Sequence, residues 1–277
     1  MRIAIQGEPG SFSHEAALKM VPGATIVPCS LSADVFLKMN DGRADAAVIP
    51  IENSLAGSVT EHFDLLLAND VRVIGETLLR IRHNLIGISG ANIEHIDRVF
   101  SHPVALAQCK RFVARHPRMQ AYAFYDTAGS VKQLVESRDR HAAAIASESA
   151  AAYYGAQILA ANIEDNPENY TRFFLIFNTD VARTLPVVQQ VTKISLAFSV
   201  ANEPGSLVGV LNELATLGVN LTKIESRPVH GKPWEYIFYV DCQVSSYAQA
   251  DRAVEALARH CAMLKELGRY PAGERVG

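Results

Sequence analysis

The chain has 277 residues, of which 49% are hydrophobic, 20% charged and 8% aromatic, with a net charge of −3. This composition belongs to a globular protein with enough apolar surface for a real core, and length alone leaves one or two domains open. Acidic and basic residues are interspersed, so no basic stripe suggests nucleic acid and no charge run suggests a disordered tail. No stretch approaches the ~20 apolar residues of a membrane span, and Arg2-Ile3-Ala4-Ile5 is too short for the apolar region of a signal peptide. The expected location is cytoplasmic, without a membrane partner. Cys29, Cys109, Cys242 and Cys261 form no Cys-x-x-Cys pair and keep no metal-ligand spacing from a histidine, so they read as small apolar residues.

Short apolar runs alternate with helix-period segments over the first 160 or so residues. Ile3 to Gln6 is predicted as a buried strand, followed by the turn Gly7-Glu8-Pro9-Gly10 and a helix from Ser11 to Met20 with a hydroxyl available to cap it. Thr25 to Pro28 is the next strand, Leu31 to Met39 the next helix, and Ala46 to Ile49 a third strand ending in a loop at Pro50-Ile51-Glu52-Asn53-Ser54. This βαβ rhythm implies a mostly parallel sheet.

Val71 to Ile74 and Leu78 to Ile88 then run extended, with no helix signal between them. Arg98-Val99-Phe100 leads into Ser101-His102-Pro103 and a helix from Val104 to Arg115. Tyr122-Ala123-Phe124 leads into Asp126-Thr127-Ala128 and a helix through Leu134, and Ala142 to Ala146 leads into Ser147 and an alanine-rich helix. Strand ends that deliver polar residues to helix N-termini are where ligands bind in open α/β sheets. Phe173 to Phe177 returns as a strand after this second set, which implies an α/β region of two lobes with a cleft between them and hinge-like crossing segments.

Residues 181–191 read as a linker that separates a first domain (1–180) from a second (192–270). In the second, Lys193 to Val200, Val219 to Ser226, Trp234 to Val240 and Met263 to Leu267 read as strands. Ser206 to Leu217 and Tyr247 to His260 read as helices, and this βαββαβ order is the ferredoxin-like sandwich.

The glycines of Gly7-Glu8-Pro9-Gly10-Ser11-Phe12-Ser13 permit close approach to an anionic ligand, or simply make a tight turn with a serine cap. Pro50 to Ser58 concentrates a carboxylate, an amide and hydroxyls, and reads as a ligand loop or as a self-satisfied polar loop. In Asn169-Tyr170-Thr171-Arg172-Phe173, Arg172 can grip a carboxylate with two parallel hydrogen bonds. The Thr171 hydroxyl can donate a proton only where the site stabilises the charge left behind, and a structural role for the pair stays open. His102 lies among these loops and reads as a surface or capping histidine. No Gly-x-Gly-x-x-Gly or phosphate-binding loop occurs, so no nucleotide cofactor is implied.

Together, Gln6 to Ser13, Pro50 to Ser54, Ser101-His102-Pro103, Asp126-Thr127-Ala128 and Thr171-Arg172-Phe173 resemble, in order, the motifs of prephenate dehydratases. Gly205-Ser206-Leu207-Val208 and Glu225-Ser226-Arg227-Pro228 resemble the paired phenylalanine-site motifs of that family's ACT domain. The resemblance implies a two-lobed, periplasmic-binding-protein-like catalytic region followed by a ferredoxin-like ACT domain, and no metal or organic cofactor. It departs from the family at Val104, where glutamine is common, and at Ser206, where alanine is common. The first strand begins at residue 2 with no chorismate mutase segment before it, which implies the monofunctional form.

The resemblance further implies conversion of prephenate to phenylpyruvate, water and CO2, with Thr171 and Arg172 catalytic. Ser11, Ser13, Glu52, Asn53, Ser54, Ser101, Thr127 and Phe173 would contact substrate, Phe173 mostly as packing. Asn202, Gly205, Ser206, Leu207, Val208, Glu225, Ser226, Arg227 and Pro228 would bind L-phenylalanine across a homodimer or homotetramer interface. The alternatives are an arogenate or dual-substrate dehydratase, and a non-catalytic amino-acid sensor.

Overall fold

A computed structural model describes residues 1–185, 190–229 and 234–276. By its internal contacts the chain divides into two units, Met1–Thr60 with Thr77–Phe173 and Glu274–Gly277, and Glu61–Glu76 with Phe174–Gly273.

The first unit has two lobes. In the first lobe, strand Arg2–Gln6 pairs in parallel with Thr25–Cys29 and with Ala46–Asn53, and Tyr170–Asn178 lies next to Ala46–Asn53. The chain's end returns here, as Arg275–Val276 pairs in parallel with Leu78 and Leu79. The sheet of the second lobe runs Gln157–Ala160, Asn84–Gly87, Ala142–Ala146, Arg98–Ser101, Gln120–Ala123. The last three are parallel, as the sequence implies, whereas Asn84–Gly87 runs antiparallel to both of its neighbours, so this sheet is mixed.

Ala142–Ala146 shows why small residues are used at the centre of that sheet. Ala142, Ala144 and Ala146 pack on one face with Val131, Leu134 and Ala150, while Ala143 and Ile145 pack on the other with Val99 and Phe112. Successive side chains of a strand alternate faces, and alanine on both lets helices approach closely from either side.

The second unit contains an antiparallel sheet in the order Asn220–Pro228, Tyr236–Gln243, Lys193–Ser199, Met263–Tyr270. Helices Ser206–Thr216 and Tyr247–Ala258 cover it through Val210, Leu214, Ala250, Ala253 and Leu257, packed on Ile194, Leu196, Phe198 and Val240. This is the expected ferredoxin-like sandwich. At Gly268 a Cβ would stand 2.0 Å from the Val73 carbonyl oxygen, so only glycine lets this strand meet Val71–Arg80.

Several elements differ from the sequence reading. The strand predicted over Ala46 to Ile49 continues to Asn53, so Glu52 and Asn53 are strand residues with defined faces rather than loop residues. Thr60–Ala68 is a helix to which the reading assigned no element, with His62, Phe63 and Leu66 buried at helical spacing. The single helix expected after Ser101-His102-Pro103 is two short ones, Pro103–Gln108 and Lys110–Ala114. The segment read as a linker overlaps the helix Thr179–Thr184, tied down where Thr179 Oγ1 donates to Asp70 Oδ1 at 2.6 Å. Residues 186–189 of that segment lie outside the described residues.

Candidate active site

The site is built around Asn53, the last residue of its strand. Its Oδ1 accepts the backbone N–H groups of Leu55 (3.0 Å) and Ala56 (2.8 Å), an Asx turn that fixes which side of the amide is oxygen. Its Nδ2 therefore faces the other way and donates to Thr171 Oγ1 (2.9 Å), Asn169 Oδ1 (2.8 Å) and the Tyr170 carbonyl (3.2 Å).

That orientation propagates. Asn169 has its oxygen toward Asn53, so its Nδ2 donates to Gln108 Oε1 at 2.9 Å. Gln108 in turn presents Nε2 to Asn53 Oδ1 at 3.4 Å, and its Oε1 also takes the Nε2–H of His83 at 2.9 Å. Every amide and the histidine tautomer thus follow from two backbone N–H groups that can only donate.

The network ends on Thr171, which is buried and whose hydroxyl accepts from Asn53, with no other hydrogen bond of that hydroxyl among the described residues. A hydroxyl whose lone pair is engaged in this way has its own proton to give. The Asn53 N–H also stabilises negative charge developing on Oγ1, so the pair meets the condition for a hydroxyl donor.

Arg172 is not part of this cluster. Its guanidinium is buried and its Nη1 lies 3.9 Å from Glu52 Oε2. Thr171 and Arg172 are consecutive in one strand, as are Glu52 and Asn53 in its neighbour, so the two pairs form on opposite faces of the sheet. The expectation that Thr171, Arg172 and Glu52 converge on one ligand is corrected on this ground. Phe173 is 1% exposed and belongs to the core.

The hydroxyls separate in the same way. Ser101, expected to face substrate, is fully buried and donates to the Ile145 carbonyl, which leaves it no proton for a ligand. Ser54 accepts from Tyr170 N and donates to the Glu168 carbonyl, both at 2.9 Å, and so staples two segments together. Ser11 caps the helix Phe12–Met20 through His14 N (3.3 Å). Ser13 lines a cavity of about 310 Å³ with Gln6, Gly7, Glu8, His102, Tyr125 and Asp126.

The two lobes meet at this cavity. Glu8, from the glycine loop, accepts from Tyr125 OH (3.0 Å) and from Lys132 Nζ (3.3 Å), and Ser147 Oγ donates to the Gly10 carbonyl (2.6 Å). At Gly10 (φ +86°) a Cβ would stand 2.7 Å from Ala150 Cα, so a side chain there would push the lobes apart. Asp126, not Thr127, supplies the polar head from its loop: Asp126 lines the cavity, while Thr127 opens the helix behind it. Burial pushes the Asp126 carboxyl above the ordinary range, with Glu8 adding to the rise and the Gly129 N–H (2.7 Å) opposing it.

In the second unit, Asn202 and Leu207 line a small cavity of about 120 Å³ with Trp234, Tyr236 and Phe238. Gly205, at φ +88°, precedes the helix begun by Ser206, on which Val208 is exposed. Glu225 pairs with Lys223 at 3.1 Å, and the guanidinium of Arg227 forms a two-pronged contact with Asp64 (3.0 and 2.6 Å) rather than pointing at the cavity. Ser226 and Pro228 lie on the same strand, paired with Phe238 and Tyr236. No group of His, Cys, Asp and Glu suited to a metal occurs among the described residues, and burial raises all four cysteine thiols.

The model of the prephenate dehydratase family matches residues 3–181, and that of the ACT domain residues 194–259. The chain belongs to the prephenate dehydratase family. An arogenate dehydratase/prephenate dehydratase of Arabidopsis thaliana is 38% identical, with 98% of this chain and 73% of the relative covered. Among solved structures, prephenate dehydratase from Arthrobacter aurescens in complex with L-Phe is 32% identical with a TM-score of 0.87, covering 98% of this chain and 89% of that one. A structure described as GqqA, a novel type of quorum quenching acylase, is 34% identical with a TM-score of 0.89, covering 99% and 98%. The order read from the motifs, a dehydratase region followed by an ACT domain, is what these two family matches show.

The reading missed Gln108, His83 and Asn169 as members of the cluster. Its concern at Val104 has a structural answer: Val104 is 41% exposed, and the amide that reaches the cluster is Gln108, at the far end of the same short helix.

Proposed function

We propose that this dehydratase acts on prephenate, in the cytoplasm, and is inhibited by L-phenylalanine bound to its ACT domain. The observation that carries the catalytic reading is the Asn53-to-Thr171 hydrogen bond, which engages the threonine lone pair and leaves its proton for a ligand. In the reaction, the bond from the quaternary ring carbon to its carboxylate breaks and CO2 departs. The released electron pair completes the aromatic ring, and the para hydroxyl leaves as water with a proton from Thr171. Aromatisation supplies much of the driving force, so the protein needs only to orient the ring and stabilise the leaving oxygen. Arg172 acts here by holding Glu52, and Ser13 with the glycine-loop amides faces the substrate's anionic end.

The regulatory part is supported by the ACT fold and by the relative solved with L-Phe. It carries the expectation of a homodimer that completes the effector site, with the Asn202–Leu207 cavity of one subunit facing Glu225 to Pro228 of another.

A second reading, arogenate as substrate, is favoured by Asp126 and Glu8 at the cavity, since a carboxylate there suits the ammonium that arogenate carries in place of a keto oxygen. Acylase chemistry is less well served: it needs an activated nucleophile, and Thr171 bonds an amide rather than a base. Phenylpyruvate formation from prephenate, read by absorbance beside phenylalanine formation from arogenate, decides between substrates. Thr171→Ala should lower kcat by about 10²–10⁴ in a folded protein, and near-normal turnover would remove Thr171 from the mechanism.

A further inference from the structure

The hydrogen-bond chain that ends on Thr171 begins on a histidine. His83 lies on the segment by which the chain first crosses between the lobes of the first unit, and its backbone is pinned on both sides. Its N–H donates to Glu164 Oε2 (3.0 Å), and its carbonyl accepts from Ile163 N (2.8 Å). The ring is 2% exposed and meets the Phe12 ring edge-on, with centroids 5.6 Å apart. Its Nδ1 is buried without a hydrogen-bond partner in the described structure.

A buried polar atom left unpaired costs about 1–3 kcal/mol. An apolar ring would fill this place beside Phe12 without that cost, so packing alone does not explain a histidine. Among the described residues, the imidazole makes one hydrogen bond, Nε2–H to Gln108 Oε1 at 2.9 Å. Gln108 is the hinge of the network, because its 3.4 Å bond to Asn53 is the longest link and the one most sensitive to a shift of the side chain.

On the reading of Thr171 as the proton donor, we propose that His83 is a positioning residue for it. Its Nε2–H holds the Gln108 oxygen and so keeps the Gln108 N–H on Asn53 Oδ1, bracing the amide that the Leu55 and Ala56 N–H groups have already turned toward Thr171. The four participants come from different places: the outgoing crossing (His83), the second lobe (Gln108), the first lobe (Asn53) and the returning strand (Thr171). The Asn53 amide that faces Thr171 is therefore braced from both lobes and both crossings. Asn169, on the returning segment, supplies the second donor to Gln108 Oε1, and with His83 removed the amide is held from that one side alone.

Three variants of the full-length protein test this. In His83→Gln the amide nitrogen reaches the place of Nε2, in His83→Asn it reaches only that of Nδ1, and His83→Leu has no donor. We expect His83→Gln to keep kcat within about threefold of the parent, and the other two to lose about 10-fold or more with KM little changed. If His83→Leu fails to fold, the contrast between His83→Gln and His83→Asn decides alone. Equal kcat in those two variants overturns the proposal. Thr171→Ala, measured alongside, separates the two failures. Normal turnover there removes the underlying reading, whereas a collapse there with intact turnover in His83→Asn removes only the role of His83.

Discussion

Asn53→Asp is the smallest change that should silence the enzyme. The aspartate keeps one oxygen where Oδ1 stands, so the Asx turn through Leu55 and Ala56 survives. Its second oxygen replaces Nδ2 and faces Thr171 Oγ1, Asn169 Oδ1 and the Tyr170 carbonyl at 2.9, 2.8 and 3.2 Å. Three donor contacts become oxygen–oxygen contacts. Among the described residues, the proton that relieves them without flipping an amide is that of Thr171, which turns inward and is lost to the substrate. Loss of one donor aimed at developing charge costs about 10²–10³ in kcat, or about 3–4 kcal/mol, and that is the fall expected at neutral pH. A carboxylate among carbonyl oxygens has a raised pKa, so lowering the pH protonates it, restores one donor and recovers part of kcat. The assay is phenylpyruvate absorbance against pH, with circular dichroism to show that the fold persists. A kcat within about threefold of the parent at neutral pH would refute the polarity argument.

Ser101→Ala should lower stability by about 1–3 kcal/mol through the lost bond to the Ile145 carbonyl while kcat stays near the parent value; a selective loss of kcat with Tm unchanged would return Ser101 to the substrate site. Asp64→Asn weakens the two-pronged contact that ties Arg227 to the helix Thr60–Ala68, two residues beyond the strand pair of Glu52 and Asn53 with Ser58 and Gly57. The concentration of L-phenylalanine for half inhibition should rise about fivefold or more with basal turnover intact, and an unchanged inhibition curve would exclude that contact from the regulatory path. Burial holds the His83 imidazole below the ordinary range, opposed by Gln108 and by Glu164, whose carboxylate lies 4.0 Å from Arg80. The unfolded histidine takes up its proton below about 6.5 while the folded one stays neutral, so the unfolded state binds more protons and stability falls as pH drops through that window. His14 shifts in the same direction, so His83→Gln should reduce the acid-side slope of Tm against pH without abolishing it, and an unaltered slope would contradict the buried neutral histidine.

What the sequence made legible follows the range over which each signal acts. The ferredoxin-like unit is readable because its two helices and four strands carry their own periodicity and turn signals. The Ala142–Ala146 strand is readable as a run bounded by charge. The helix Thr60–Ala68 has its sequence signal in His62, Phe63 and Leu66, beside a more conspicuous polar loop. Residue type at a strand end, however, says nothing about which partner a hydroxyl finds. Ser101 and Thr171 look alike as hydroxyls beside strand ends, yet the first is spent on a backbone carbonyl and the second is held by an amide with its proton free. The opposite facing of Thr171 and Arg172 was legible in principle, since adjacent strand residues alternate, but only once Glu52 and Asn53 are known to be strand residues too. Gln108 and His83 carry no local signal at all. Each acquires its role from a neighbour 25 or more residues away (His83 from Gln108, Gln108 from Asn53 and Asn169), so the polarity of the network is a property of the fold, anchored at the two backbone N–H groups of Leu55 and Ala56.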